Sequence, residues 1–536
     1  MQNRSSAVLE FSKKFVIFSC VFSFLFAEVS ENALARSEYI SINLLKQKPK
    51  KSAAKQKGKA KSAAKTKKAS GGKKATVKGK KGKKAKVLKR GKKETRRERA
   101  RRLKSLRSGA SRQAVKRVLP SSIEIYETLR DTLLAPDVQY RHLIMGRERH
   151  SVHVVKTNIT NPAYSLQILK GADRVDGMER LVDMVAGHDS TTKSTVLAAV
   201  NANFWSMRAL PIGPTVIDGE VVQISSHKQW SSAFFTPEGQ MFIDAFKMKG
   251  QVSDTRGRSY SLSEVNYRTD STGLVLYNAF AGDTIPYVNS LSIDRQIEEM
   301  ERNRVETEGD STEAEISPEE LRRELMAARR AKNIESSMTK IQLRYLRSPV
   351  VNGKIACEIL NIGEGDMKMP VRGCILSLGK NFPMVSFPHE GDTLFLNFTT
   401  NYYKNVEFTN AVSGTPRMVR HGVGGHEAYS EGSTAKRFIM NNLARTAIGR
   451  DESGENMYIV AIEPTGRQED CVGATLSQEA EILEYLGLFD AMNLDGGGST
   501  TMAIGQEIVT HRNTTAIPRK LSVGVAIVKK ALRKRS

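Results

Sequence analysis

The segment 491–502 constrains this chain most: an apolar run stops at Asp495 and is followed by Gly496, Gly497, Gly498, Ser499, Thr500 and Thr501. Phe489, Ala491, Met492 and Leu494 read as a buried strand. Glycines permit backbone angles and close approaches that side chains forbid. Successive backbone N–H groups in such a turn can form an anion-binding concavity. A carboxylate beside that concavity suits a substrate that carries phosphate. Taken alone, the string also reads as a glycine-rich hairpin with an incidental Asp.

Charge divides the chain sharply. Residues 36–118 hold 34 Lys plus Arg against three acids, Glu38, Glu94 and Glu98, a net of +31. The first 35 residues balance, so of the chain's +27 the remainder, 119–536, carries −4. The basic character belongs to the segment 36–118, and the rest is mildly acidic. That segment is built on Lys, Ala, Gly and Ser, with too few apolar side chains to offset ordering entropy, and is expected to be a disordered tail. It suits anionic envelope polymers or membrane surfaces, and nucleic acid less well behind a secretory leader. A solvated spacer is the plain alternative.

Residues 1–35 read as that leader. Arg4, Lys13 and Lys14 give a basic start, an apolar run follows from Phe15, and Ala33 and Ala35 form a small-x-small site with cleavage after Ala35. The apolar run is shorter than the roughly 20 residues that span a bilayer. A secreted or periplasmic, envelope-associated protein with no transmembrane helix in its mature chain is expected. Beyond Cys20, the cysteines are Cys357, Cys374 and Cys471. One disulfide, such as Cys357–Cys374, and buried free thiols are both open.

In the segment 119–536, alternation at 142–156 and 165–170 predicts strands. Residues 177–186 read as a short amphipathic helix, and 195–200 as an apolar strand ending at Asn201. Asp218-Gly219 marks a hairpin. Residues 294–345 are rich in Glu, Arg and Ala and read as a charged helical surface insertion with a helix start at Pro318. Residues 346–412 read as a β-rich subdomain. Strand 457–462, helix 476–486 and strand 491–494 close the pattern. The fold class expected is α+β, or mixed α/β: mixed sheets with a few packed helices.

Further motifs stand in a particular order. These are Ala198-Ala199-Val200-Asn201-Ala202-Asn203-Phe204-Trp205, then Ser413-Gly414-Thr415-Pro416 with Arg420-His421-Gly422, then Ala444-Arg445-Thr446-Ala447-Ile448-Gly449. Gly473-Ala474-Thr475-Leu476, Asn493-Leu494-Asp495-Gly496-Gly497-Gly498-Ser499-Thr500 and Pro518-Arg519-Lys520-Leu521-Ser522-Val523 follow. The ordered set, over about 130–530, resembles the phosphodiester glycosidase family. The resemblance implies hydrolysis of a sugar-1-phosphodiester or a related envelope or exopolysaccharide glycan, with no cofactor. A phosphomonoester leaving group is already stable as an anion. The site therefore needs phosphate neutralisation, a carboxylate for the anomeric centre or its water, and polar groups for sugar hydroxyls.

Arg445 is the expected phosphate clamp, because a guanidinium forks onto phosphate oxygens. An Arg paired with a core carboxylate is the structural alternative. Asp495 is the expected catalytic carboxylate, as base, nucleophile or oxocarbenium stabiliser; a carboxylate that only caps the turn is the other reading. Substrate contacts are expected from Asn201, Asn203, Ser413, Gly414, Thr446, Gln478, Gly496, Gly497, Gly498 and Ser499. Phe204 and Trp205 read as sugar-stacking or, more usually, buried aromatics. His421 and His426 lack a matching carboxylate spacing, and no metal ligands are assigned.

One position departs from the family pattern. Gln478 stands where members commonly carry Glu, and Gln cannot act as a general acid or base. Glu479 is next in sequence, but one residue turns it about 100° round a helix, away from the site. A non-catalytic glycan-binding or matrix protein, and a polyanion binder acting through its tail, are therefore the rival readings.

Overall fold

The computed structural model describes residues 123–206, 208–286, 297, 318–380, 382–383, 388–463, 472–510 and 518–531. The expected leader, the basic tail and Cys471 lie outside them. Among the described residues, no helix is long and apolar enough to cross a membrane.

Two sheets face each other around the segment 491–502. The first has eight strands in the order Ile125–Ala135, Val138–Met145, His150–Asn158, Asn456–Ile462, Arg445–Arg450, Asp490–Asn493, Arg417–Arg420 and Val423–Gly424. The second has five: Glu507–Ile508, Met502–Ile504, Thr195–Asn201, Val523–Lys529 and Tyr164–Lys170. Val155, Ile448, Ile459 and Met492 of the first share one core with Ile168, Val200, Met502 and Val525 of the second. The outer face of the first sheet is covered by the helix Leu476–Tyr485, whose Leu476, Ala480 and Leu483 meet Val152, Val154 and Val460. The helix Leu181–Thr192 covers the second sheet, setting Leu181, Met184 and Val185 on Ala199 and Ala526. The result is helix, sheet, sheet, helix in four layers.

A third sheet of five strands, Glu220–Gln223, Thr215–Ile217, Asn410–Ser413, Ser232–Phe235 and Met241–Asp244, is apolar on both faces. Strand periodicity sends Ala233 and Phe235 into the core just described, while Phe234 enters a separate core. That second core belongs to another eight-stranded sheet running from Ser259–Ser261 through Met248–Asp254, Thr393–Thr400, Lys354–Gly363, Thr339–Tyr345, Gly373–Leu378 and Leu274–Tyr277 to Glu264–Val265. The strand Thr393–Thr400 alternates strictly between buried and half-buried residues.

The α+β expectation holds in its coarse form, with helices packed on sheets, but the weight is on β-structure. Pairing is antiparallel between neighbouring strands in each large sheet, apart from the parallel pair Glu264–Val265 with Leu274–Tyr277. The Asp218-Gly219 hairpin forms, both residues having positive φ.

One expectation needs correction. Residues 294–345 are not solely a surface insertion: the helix Pro318–Ser336 forms, but Thr339–Tyr345 is an interior strand of the second eight-stranded sheet. The helix is pinned at its end by buried Glu335, which accepts from Tyr277 (2.9 Å), Arg268 and Ser377. The β-rich part therefore begins well before 346, at Met248, and its sheet ends at Thr400, with Asn410–Ser413 in the third sheet. Of the two states left open for Cys357 and Cys374, the structure has the second: both are free and buried. They flank the strand Thr339–Tyr345 on either side, about two strand spacings apart and beyond the roughly 7 Å limit for a disulfide. Burial pushes the Cys357 thiol up to about 12 and Cys374 well above its ordinary value.

Candidate active site

The strand Asp490–Asn493 delivers Asp495 to a turn that is fastened from three directions. Its entry is crowded: a Cβ on Gly414 would stand 2.3 Å from the Asn493 carbonyl oxygen, so only glycine fits. At the turn, the Asp495 N–H donates to the Ala202 carbonyl (2.8 Å). Asn201 Nδ2 donates back to the Asp495 carbonyl (2.6 Å), and its Oδ1 accepts from Thr446 Oγ1 (2.8 Å) and the Thr501 N–H (3.0 Å). Gly497 N–H donates to the Ala444 carbonyl (2.8 Å). Three chain segments far apart in sequence, 201–202, 444–446 and 495–501, are locked together by these bonds.

Within the turn, Asp495 Oδ1 accepts from the Gly496 N–H at 2.9 Å. A donor on a carboxylate favours its ionised form. Gly497 has φ of +58° with open space where a Cβ would be, so its glycine answers a backbone need. Gly496 answers a packing need, since a Cβ there would lie 2.8 Å from the Ala444 oxygen. Gly498 sits in the single 3-10 turn Gly497–Ser499.

Arg445 begins the strand beside the turn and is 1 % exposed. Its Nε donates to the Ala474 carbonyl (2.8 Å), and one Nη2 donates to Phe438 (2.8 Å) and Asn441 (3.2 Å). The guanidinium also lies over the Phe438 ring, 5.3 Å from its centroid. Nη1 is the nitrogen left without a bond among the described residues. Glu479 Oε2 lies 3.9 Å from Nε. Burial drives the two groups toward neutrality while each opposes that drive in the other: Arg445 falls to about 10 and Glu479 rises to about 8. His426 is held below its usual value, first by burial and then by the Arg445 charge.

An aromatic wall continues from Phe438. Phe204 lies 6.3 Å from Phe438 and 5.3 Å from Trp230, and His227 lies 4.7 Å from Trp230, centroid to centroid. Buried polar atoms without a hydrogen-bond partner gather along this wall and the turn: Asn203 Oδ1, His227 Nε2, Trp230 Nε1, His426 Nδ1, both Glu479 oxygens and Ser499 Oγ. Each such atom costs about 1–3 kcal/mol. They are seven of the sixteen such atoms among the described residues, and each is a group that a polar ligand could satisfy.

The expected site residues divide into groups. Asp495, Arg445, Gly496, Gly497, Gly498, Ser499, Thr446 and Asn201 come together. Asn201 and Thr446 spend their side chains bracing the turn. Asn203 Nδ2 is bound to Ile212 and Thr215, leaving only its oxygen open. Ser413 is fully buried, donates to the Pro214 carbonyl (2.7 Å) and contacts Ser232, so it supports and does not line the site. Trp205 is buried in the core under the helix Leu181–Thr192.

The Gln478 side chain serves a helix cap. Its Oε1 accepts from the Thr475 N–H (2.9 Å) while Thr475 Oγ1 accepts from the Gln478 N–H, a reciprocal cap on the helix Leu476–Tyr485. Its Nε2 reaches Glu148. Conversely, Glu479 does not turn away from the site but faces Arg445. Glu479, His227, Trp230 and Phe438 were not picked out by sequence reasoning. For Glu479 a signal existed: a carboxylate on the apolar face defined by Leu476, Ala480 and Leu483.

Residues 369–528 match the phosphodiester glycosidase family model. The chain is 28% identical over 134 residues to the N-acetylglucosamine-1-phosphodiester alpha-N-acetylglucosaminidase of Bos taurus, and 28% identical over 135 residues to that of Mus musculus. In each case the match covers 22% of this chain and only 25% of the relative, so the chain spans about a quarter of the curated relatives it matches. A crystal structure of a hypothetical protein from Synechocystis superposes with a TM-score of 0.50 at 18% identity, covering 75% of this chain and 64% of that one, a likeness of fold alone. The resemblance to the phosphodiester glycosidases thus rests on the C-terminal part of the chain, which contains Arg445, Glu479 and Asp495.

Proposed function

We propose that this chain is a glycosidase-type hydrolase that cleaves glycosyl-1-phosphodiesters or related phosphate-bearing envelope glycans. The observation that carries this reading is the hydrogen bond from Gly497 N–H to the Ala444 carbonyl, at 2.8 Å. It fastens the turn bearing Asp495 to the residue before Arg445, at the start of the strand Arg445–Arg450. Water adds to the anomeric carbon, the C1–O bond breaks, and the products are a free sugar and a phosphomonoester.

Asp495, whose Oδ1 accepts from the Gly496 N–H, stands at the anomeric centre or on its attacking water. Arg445 supplies positive charge to the phosphate through Nη1; its remaining nitrogens are spent on carbonyls, which fix the ion and prevent a full fork. Phe438, Phe204 and Trp230 give the sugar an apolar face. Burial raises the Glu479 carboxyl to about 8, which favours its neutral form and lessens its cancellation of the Arg445 charge that the phosphate needs.

The capping role of Gln478 weakens the case for a non-catalytic glycan binder, because Gln and Glu serve equally at that helix position. The chain's basic segment, residues 36–118, is proposed to hold the secreted or periplasmic enzyme on an anionic surface. Co-sedimentation with anionic vesicles, lost in high salt and on deleting 36–118, tests that part.

The activity is tested with purified protein and a panel of sugar-1-phosphodiesters, N-acetylglucosamine first, by identifying both products. Release of free sugar with an intact phosphomonoester supports the reading. Release of sugar-1-phosphate or inorganic phosphate instead would place the cut on the wrong bond and refute it.

A further inference from the structure

A second polar cluster lies on the first sheet, apart from the Asp495 turn. His142 and His153 are paired directly across neighbouring strands, their rings stacked with centroids 3.9 Å apart. Glu463 follows the next strand, Asn456–Ile462, and its N–H donates to the Ser151 carbonyl at 3.0 Å. One nitrogen from each His and one Glu463 oxygen all lie within 4.8 Å of one another. His153 and Glu463 are 1% and 3% exposed.

The local geometry favours an ion. His153 Nε2 is buried with no hydrogen-bond partner and lies 3.3 Å from Glu463 Oε1. That is about the ligand-to-ligand edge set by a tetrahedral zinc ion with bonds near 2.0–2.1 Å. On the far side of the ring, His153 Nδ1 lies 2.8 Å from the Tyr140 hydroxyl. With Nδ1–H donating to the phenol oxygen, the Nε2 lone pair points toward the carboxylate. This outer-partner arrangement is how ligating histidines are oriented. Ser151 bridges the remaining edge, 2.9 Å from His142 Nε2 and donating to Glu463 Oε2 at 2.9 Å. The His142 ring is stacked on His153 and bonded to Ser151, so it must leave that stack to share an ion with His153.

We infer that His142, His153 and Glu463 form a binding site for a divalent transition-metal ion of the zinc type, with Tyr140 as the positioning residue for His153. Two imidazoles and one carboxylate suit zinc better than calcium or magnesium, which take oxygen ligands. The inference does not depend on the hydrolase reading, since an inactive protein would still bind the ion.

The test uses the full chain, stripped with a chelator and titrated with Zn²⁺ by calorimetry, then loaded with Co²⁺ for visible spectroscopy. The expected result is one ion per chain and the intense ligand-field bands of a four- or five-coordinate Co²⁺. His153→Gln and Glu463→Gln each weaken binding at least about ten-fold, and Tyr140→Phe about 10–100-fold. Ser151→Ala does not weaken it. Far-UV circular dichroism confirms that each variant is folded, and the wild-type Co²⁺ spectrum stands without any variant. No bound ion in the wild type, a weak octahedral aqua-like Co²⁺ spectrum, or equal affinity in folded His153→Gln would each overturn the site and leave a hydrogen-bonded network.

Discussion

The Glu479 carboxylate and the Arg445 guanidinium lie 3.9 Å apart with both side chains buried, and neither Glu479 oxygen has a hydrogen-bond partner. Burial raises Glu479 from 4.5 to about 8, with Arg445 opposing the rise. A carboxyl raised in the folded state adds stability that is full below its unfolded value and is lost as pH climbs through the folded one. The relevant window is therefore pH 4.5 to about 8. Glu479→Gln mimics the protonated form at every pH. Its unfolding free energy is expected to match wild type near pH 5 and to exceed it by pH 8, by on the order of 2 kcal/mol. Calorimetric unfolding at both pH values checks this; an equal difference at both would contradict the assignment.

Asn201 makes three buried hydrogen bonds that hold the Asp495 turn against Thr446 and Thr501. Asn201→Ala strips the Asp495 carbonyl, the Thr446 hydroxyl and the Thr501 N–H of their shared partner. A loss of about 2–3 kcal/mol is expected from such orphaned groups. If the turn is the catalytic platform, kcat falls more than ten-fold while KM changes little. Denaturant unfolding with steady-state kinetics reads both.

Two glycines of the site do different work. A Cβ on Gly414 meets the Asn493 carbonyl at 2.3 Å, a backbone atom that cannot yield, whereas Gly497 has only its positive φ to lose. Gly414→Ala is expected to cost about 3 kcal/mol or more, and Gly497→Ala about 1–2 kcal/mol. Equal shifts in melting temperature would show that the entry to the turn is looser than described.

Gln478 caps the helix Leu476–Tyr485 through Thr475. Gln478→Ala should therefore lower stability by about 1 kcal/mol. Gln478→Glu should preserve the cap and leave turnover within two-fold, roughly, of wild type. A large gain in kcat for Gln478→Glu would instead restore the view that this position belongs to the chemistry.

The turn at Asp495 was legible in the sequence because local chemistry announced it. The stop of an apolar strand at Asp495 and three glycines could only be a turn, and Asp218-Gly219 likewise marked its hairpin. What escaped was set by tertiary contact. Ser413 sits in a motif of the expected type, yet its hydroxyl faces Pro214, 199 residues earlier, and not a ligand. The strand Thr339–Tyr345 was absorbed into a charged insertion because the helix before it is so polar. Its place between two buried strands comes from pairing partners that local composition does not reveal.

The Glu479 assignment failed for a different reason. Counting 100° per residue correctly separated it from Gln478, but the direction of the site was assumed. Because Gln478 serves the helix end, the apolar face of the helix is the one that meets Arg445. His142, His153 and Glu463 were invisible for a simpler reason: the carboxylate lies 310 residues beyond the second histidine, so no motif spacing connects them.

The central claim is that Asp495 carries the hydrolysis of a sugar-1-phosphodiester. The most direct measurement is kcat for wild type and Asp495→Asn on a substrate the wild type turns over, with circular dichroism showing both folded. A fall of at least about 100-fold, against a KM that moves little, is the result predicted here. Turnover in folded Asp495→Asn within a few-fold of wild type would contradict the account and leave Asp495 as a structural cap on its glycine turn.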